Sequence, residues 1–229
     1  MPRVGLGCHQ YRSRGTRGLC ITWVLSDKNG MKLPPSTFWI WFRGFADRIP
    51  RDDIPNELQD ELLSHLRCFD DRLYFLLSTH AVPRELIITA DGNVDAFSSA
   101  DKLVNSAPNL ANWQFLSLKP ALGFDFRHTD GRISLDASTL WFRPTNSSDD
   151  PAKLGVIIGF PDADFVLENQ SVDTAYTILE TGIGERSCTN DIHRVTVDDL
   201  PDDPMSHGYI PLSRLADYVA FHKRRHQVG

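Results

Sequence analysis

Acid–base chemistry, where this chain has it, would draw on four positions. Asp162 and Asp164 stand in Pro161-Asp162-Ala163-Asp164-Phe165, directly after the apolar run Val156-Ile157-Ile158-Gly159-Phe160. Alternation along an extended segment puts both carboxylates on one side. The C-terminal end of a strand is also where ligand edges form in α/β proteins. Asp91 follows a second apolar run, Leu86 to Ala90, and opens the turn Asp91-Gly92-Asn93. His193 precedes Arg194 in a β-rich stretch, and facing inward it would serve as an acid or base. These four residues are the catalytic candidates. The plainer account gives the three aspartates turn and cap roles. The Asp162 segment lacks the central glycine and final glutamate of a calcium loop.

Other motifs carry less. Gly182-Ile183-Gly184-Glu185 resembles a glycine-rich ligand loop, but it follows a helical pattern rather than opening one after a strand. Gly182 is therefore expected to stop that helix in a left-handed conformation. There is no Walker-type lysine, nucleophile-elbow serine or His-Glu-x-x-His pair. His222 and His226 are four apart near the C-terminus. A structural zinc needs four ligands, so a solvated helix end is the expectation and no metal is assigned. His128 flanks the Asp130-Gly131 turn and reads as a surface residue. No cofactor is implied. Two binding candidates stand outside the acidic set. Trp39 falls off the stripe of Phe38 and Phe42 and is expected to face a partner protein, and Asn93 belongs to the Asp91 turn.

Composition narrows the classes further. The chain has 229 residues, 41% of them hydrophobic, which suffices for a core without disulfides. Its net charge is −6, split between a basic start and an acidic remainder. Arg3, Arg12, Arg14, Arg17 and Lys28 against Asp27 give residues 1–30 a charge of +4 and the rest −10. Nucleic-acid binding needs clustered cations and is not expected. Lys223-Arg224-Arg225 suits the negative end of a helix dipole. Cys8, Cys20, Cys68 and Cys188 form no Cys-x-x-Cys pair. With no secretory pattern and no membrane-length apolar run, a reducing, cytoplasmic setting is expected.

The positioning elements follow from periodicity. Residues 1–30 have little, and they read as a disordered or non-native extension with Met31 as the start. Phe38, Trp41, Phe42, Phe45 and Ile49 give an aromatic helix capped by Ser36 or Thr37. Leu58, Leu62, Leu66 and Phe69 give a second helix behind Pro55. Strand signals at 74–77 and 86–90 precede a helix through Phe97, Ala100, Leu103 and Val104, then a strand at Trp113–Leu118. A hairpin around Asp130-Gly131, a β segment at Leu140–Phe142 and a polar loop at 145–151 come next. Leu154–Phe160 reads as a central strand, followed by a helix through Val172, Ala175, Tyr176 and Leu179. Ile192–Val197 is a late strand, 198–211 a loop, and Leu212 to Ala220 a C-terminal helix. No internal repeat is visible.

The resulting fold class is α+β with an α/β-like middle. It is a mixed, largely antiparallel sheet with ferredoxin-like strand–helix–strand units, helices mainly on one face and two N-terminal helices. Residues 31–229 are expected to form a single domain. The segments Phe38-Trp39-Ile40-Trp41-Phe42, Leu86–Asn93 (LIITADGN), Leu103–Pro120 (LVNSAPNLANWQFLSLKP) and Leu140-Trp141-Phe142 resemble an uncharacterised bacterial family. The resemblance runs from Phe38 to Val197 and leaves the first 30 residues outside it. It implies no reaction, and it makes the Asp91-Gly92-Asn93 turn the family-like feature. The leading functional expectation is a protein-binding or regulatory module with another protein as partner. A small hydrolase-like enzyme and a toxin-neutralising, immunity-like protein are the alternatives.

Overall fold

Helix α1, Pro35–Phe45, starts where Pro35 supplies a preset φ and lacks the amide that a first turn leaves unpaired anyway. No side chain caps it, so Ser36 and Thr37 are not the cap that the sequence suggests. It tightens into a 3-10 turn over Ala46–Arg48. Helix α2, Asn56–Phe69, follows Pro55 and buries Leu62, Leu63, Leu66 and Phe69. Both helices have an apolar stripe at helical spacing, and burial of that stripe is what stabilises them.

The computed structural model describes residues 33–130, 133–146, 150–161 and 171–226. The expected extension over 1–30, the Met31 start, and Asp162 and Asp164 lie outside the described residues. Among the described residues the fold is mixed α+β, with antiparallel pairs outnumbering parallel ones. The described residues divide into two compact units that part between Leu118 and Lys119.

In the first unit, β1 (Tyr74–Ser78) pairs antiparallel with β2 (Arg84–Thr89). Helix α3 (Val94–Asn105) then crosses to β3 (Trp113–Ser117), which lies parallel to β2. Asn93 caps α3 by accepting the Asp95 amide at 3.1 Å. The core joins Phe38, Trp39 and Phe42 of α1, the stripe of α2, Leu86 and Ile88 of β2, and Ala96, Phe97, Ala100 and Leu103 of α3.

The second unit opens with a hairpin of β4 (Arg127–Asp130) and β5 (Ile133–Asp136). Strand β6 (Trp141–Asn146) then pairs antiparallel with β7 (Leu154–Phe160). It runs through part of the stretch expected as a polar loop. Helices α4 (Ser171–Ile183) and α5 (Glu185–Asp191) cross to β8 (Ile192–Asp199), parallel to β7. The expected loop over 198–211 contains a further strand, β9 (Ile210–Pro211), which adds to the open side of β6. Helix α6 (Leu215–His226) closes the chain. Phe142, Val156, Ile158, Ala175, Ile178, Leu179, Leu212 and Leu215 fill the core.

Two details of α4 differ from expectation. Val172 is 42% exposed and Tyr176 also faces out, because Ala175, Ile178 and Leu179 carry the buried stripe. Gly182 sits inside the helix, where a Cβ would collide with the Phe124 ring. The left-handed residue that ends α4 is Gly184, at φ +82.

The two units share a topology. In each, an antiparallel pair leads through a helical crossover to a third strand parallel to the middle one. The registers coincide as well. Phe75 faces Ile88 as Phe142 faces Ile158, and Tyr74 faces Thr89 as Trp141 faces Gly159. On the far side Leu86 faces Phe115 as Val156 faces Val195, and Ile87 faces Leu116 as Ile157 faces Thr196. Even the lead-in matches. The Asp70 carboxylate accepts the amide two residues on, from Arg72, and Asp136 does the same with Ser138.

Candidate functional site

A concavity in the second unit lies between β9 and α6. Its local sequence explains how it forms. A 3-10 turn over Met205–His207 ends on Gly208 at φ +77, which reverses the chain. Ile210 and Pro211 then pair with Phe142 and Trp141, and the Leu212 amide donates to the Leu140 carbonyl at 2.8 Å. Leu212, Leu215 and Val219 turn into the core. That stripe leaves Tyr218 and Phe221, three apart, on the neighbouring face of α6.

Two polar anchors fix this helix. The buried His222 ring hydrogen-bonds through Nε2 to the Pro151 carbonyl at 3.1 Å. Lys223 Nζ meets the Asp191 carboxylate at 2.9 Å, and Ser187 donates to the other oxygen of that carboxylate at 2.7 Å. The expected solvated end around His222 is thus replaced by a docked turn, since the imidazole finds an acceptor 71 residues away.

The groove has a volume of about 640 Å³ and is lined by Ile210, Pro211, Ser213, Arg214, Asp217, Tyr218 and Phe221. Its floor is aromatic. Tyr218 packs edge-on against Phe142 at 5.6 Å, and Phe221 lies 6.2 Å from Tyr218 while remaining 46% exposed. The Arg225 guanidinium stands 5.7 Å from the Phe221 ring centre. Arg214 and Asp217 form an exposed 3.3 Å ion pair on the rim. Such a pair adds little stability. It leaves the groove apolar at the base and charged at the edge.

None of the described sequence-predicted residues lines this groove. Asp91 is exposed at φ +49, and its amide is held by the Thr89 hydroxyl at 3.0 Å. His193 is exposed on β8 in the other unit, so it does not face inward as an acid or base would. Asn93 acts as the cap of α3. Trp39 corrects the expectation of an exposed partner contact. It is 3% exposed, donates Nε1–H to the Leu103 carbonyl at 2.8 Å and packs on Phe115 at 4.6 Å. The large apolar residue of α1 that faces out is Ile40.

No family model, curated protein or solved structure matches this chain. Among the described residues, no group of three or more His, Cys, Asp and Glu side chains is placed to hold a metal ion. No described helix is long and apolar enough to cross a membrane.

Sequence reasoning missed the groove because its wall comes from a strand, a 3-10 turn and a helix. The available signal was the pair Tyr218 and Phe221, off the Leu212–Leu215–Val219 stripe and behind Pro211.

One other polar cluster holds structure together. Glu185 is fully buried; its carboxylate accepts the Lys119 amide at 3.0 Å and its own amide donates to the Lys119 carbonyl at 2.9 Å. Lys119 Nζ meanwhile bridges to Glu180 at 2.7 Å. This bracket ties the segment entering the second unit to the end of α4. Burial pushes the Cys188 thiol nearby up to about 12, with the Glu180 carboxylate adding to the shift. A thiol held protonated in this way is a packing group and not a nucleophile.

Proposed function

We propose that this chain is a protein-binding module whose contact surface is the groove between β9 and α6. The observation that carries the reading is Phe221. It is a large aromatic side chain left nearly half exposed beside Tyr218, in an apolar hollow with a charged rim. Interfaces enrich aromatic residues and arginine at their centres and place polar residues around them. A helix anchored by His222 and Lys223 presents these rings without an ordering cost on binding. The acid–base alternative gains no support from Asp91 and His193, which are both exposed and belong to different units.

The test is site-specific photocrosslinking in cells, with a photoreactive phenylalanine analogue at position 221 and, as control, at the exposed position 40. A discrete adduct formed from position 221 and not from 40 is the expected result. Equal or absent crosslinking from the two positions would count against the groove as a binding surface.

A further inference from the structure

We propose that the outer edge of β1 is a second interaction surface, which takes up an extended peptide as an added antiparallel strand. It lies in the first unit and rests on observations independent of the groove.

The sheet orders define the edges. The first unit runs β1-β2-β3 and the second β8-β7-β6-β9. By register β1 is the counterpart of β6, since Phe75 and Phe142 face equivalent isoleucines of the central strands. In the second unit the outer side of β6 is covered by β9, with Phe142 opposite Ile210 and Trp141 opposite Pro211. Among the described residues no strand covers the outer side of β1. The counterpart positions there are Phe75 and Tyr74.

Edge strands normally carry a feature that discourages pairing: a charge, a proline, a bulge or very short length. Strand β8 has His193, Arg194, Asp198 and Asp199 facing out and a register irregularity opposite Leu154 and Gly155. Strand β9 is two residues long and ends on Pro211. Strand β1 has none of these; β3 shares that lack, so the choice of β1 rests on its match to the covered β6. Tyr74-Phe75-Leu76-Leu77-Ser78 holds no charge, proline or glycine and pairs in unbroken register with β2. Its outward amides and carbonyls form a regular row.

The size of the edge selects the occupant. Five residues of strand bury far less than the ~800 Å² per partner of a stable protein–protein interface. That suits a short extended peptide better than a second copy of the chain. Main-chain hydrogen bonds would supply affinity, and the half-buried Tyr74 and Leu76 would meet alternate side chains of the guest. An uncharged strand favours a neutral guest with apolar residues at every second position.

The experiment uses the full chain and a fluorescein-labelled neutral probe, Thr-Val-Thr-Val-Thr-Val-Thr, read by fluorescence anisotropy. Saturable binding is expected. Methylating every backbone amide of the probe from the first valine to the last should weaken it by at least about tenfold, because neither edge of the guest then keeps its donors. That comparison needs no protein variant, so it survives any folding defect. Leu76→Lys and Ser78→Lys should each weaken the unmethylated probe, while Gln114→Lys on the β3 edge should leave it unchanged. Absent binding, equal binding of the methylated probe, or a loss caused by Gln114→Lys would overturn the proposal. So would a wild-type dimer that Leu76→Lys converts to monomer, since the occupant would then be a second copy.

Discussion

The central strands of the two units are almost interchangeable in register, yet they differ at one telling position. Thr89 of β2 and Gly159 of β7 occupy the same place opposite Tyr74 and Trp141. In the second unit the chain returns over the sheet, and a Cβ at Gly159 would stand 2.6 Å from Leu200 Cδ1 and 3.0 Å from the Tyr209 ring. Threonine stands there in the first unit, where the position is buried and its hydroxyl accepts the Asp91 amide at 3.0 Å. The return segment also supplies β9 and, beyond it, α6. One addition therefore accounts for three features of the second unit: the glycine in the central strand, the covered hairpin edge and the groove. Among the described residues the first unit has no such addition, and no strand covers the outer edge of β1. A shared strand–strand–helix–strand element thus acquires different surfaces through what is appended to it.

The largest effects should come from the shared interior. Ile88→Ala and Ile158→Ala remove equivalent, fully buried side chains and should each cost about 2–5 kcal/mol in urea unfolding. Hydrogen exchange should show the loosening concentrated in the unit that carries the substitution, since each unit has its own core. Loosening of both units alike by either change would break the comparison.

The lead-in aspartates sharpen it next. Asp70 is buried and accepts from Arg72 Nε at 2.9 Å, Arg72 Nη2 at 2.6 Å and the Ser99 hydroxyl at 2.7 Å. Asp70→Ala leaves these donors without their acceptor and should cost ~2–4 kcal/mol. Asp136→Ala should cost clearly less, because that carboxylate is exposed and serves the Ser138 turn. The Ser138 hydrogen bonds hold the Asp136 carboxyl below its usual value. Its small contribution is present at neutral pH and disappears as pH falls through the folded-state value. Comparable losses from the two alanine variants would contradict this ranking.

A smaller effect belongs to Gly159. Gly159→Ala should cost about 1–3 kcal/mol through overpacking. Leu200→Ala in the same chain should recover part of it, a coupling that a double-mutant cycle reads directly. Additivity of the two changes would mean that the return segment does not impose the glycine.

The last effect is alkaline and grows with pH. Cys188 is held near 12 when folded, against about 8.5 for a free thiol. Below the free value both states keep the proton and nothing changes. Between roughly pH 9 and 12 the unfolded state loses it while the folded state does not, so stability should fall as pH rises. Cys188→Ala should flatten that slope, and a slope unchanged by the substitution would dismiss the thiol as its source.

Much of this architecture was legible in the sequence. Aromatic and leucine stripes at helical spacing located α1, α2 and α3, and Val195 and Val197 fell on the inner face of β8 as alternation requires. The failures have specific causes. Trp39 looked exposed because α1 is apolar around more of its circumference than a narrow stripe allows, and the indole found a carbonyl on α3. Strand β9 was invisible because two residues show no alternation, and one of them is proline. The correspondence between the units was missed because only short echoes survive: Leu73-Tyr74-Phe75 and Leu140-Trp141-Phe142, or Leu86-Ile87-Ile88 and Val156-Ile157-Ile158. Alternation within a strand fixes which face it buries, but which strands pair is set by contacts between them. Of the candidate site, the acidic and histidine positions were readable as residues, but their convergence was not. The groove took shape only once β9 and α6 were placed side by side.

The most direct test of the bare edge against the covered one is residue-resolved amide exchange by NMR. Alternate amides along Tyr74–Ser78 should exchange fast, since an edge strand bonds its neighbour through every second residue. Around Trp141 and Phe142, flanked by β7 and β9, successive amides should both be slow. Continuous protection along β1, equal to that of β6, would contradict the account.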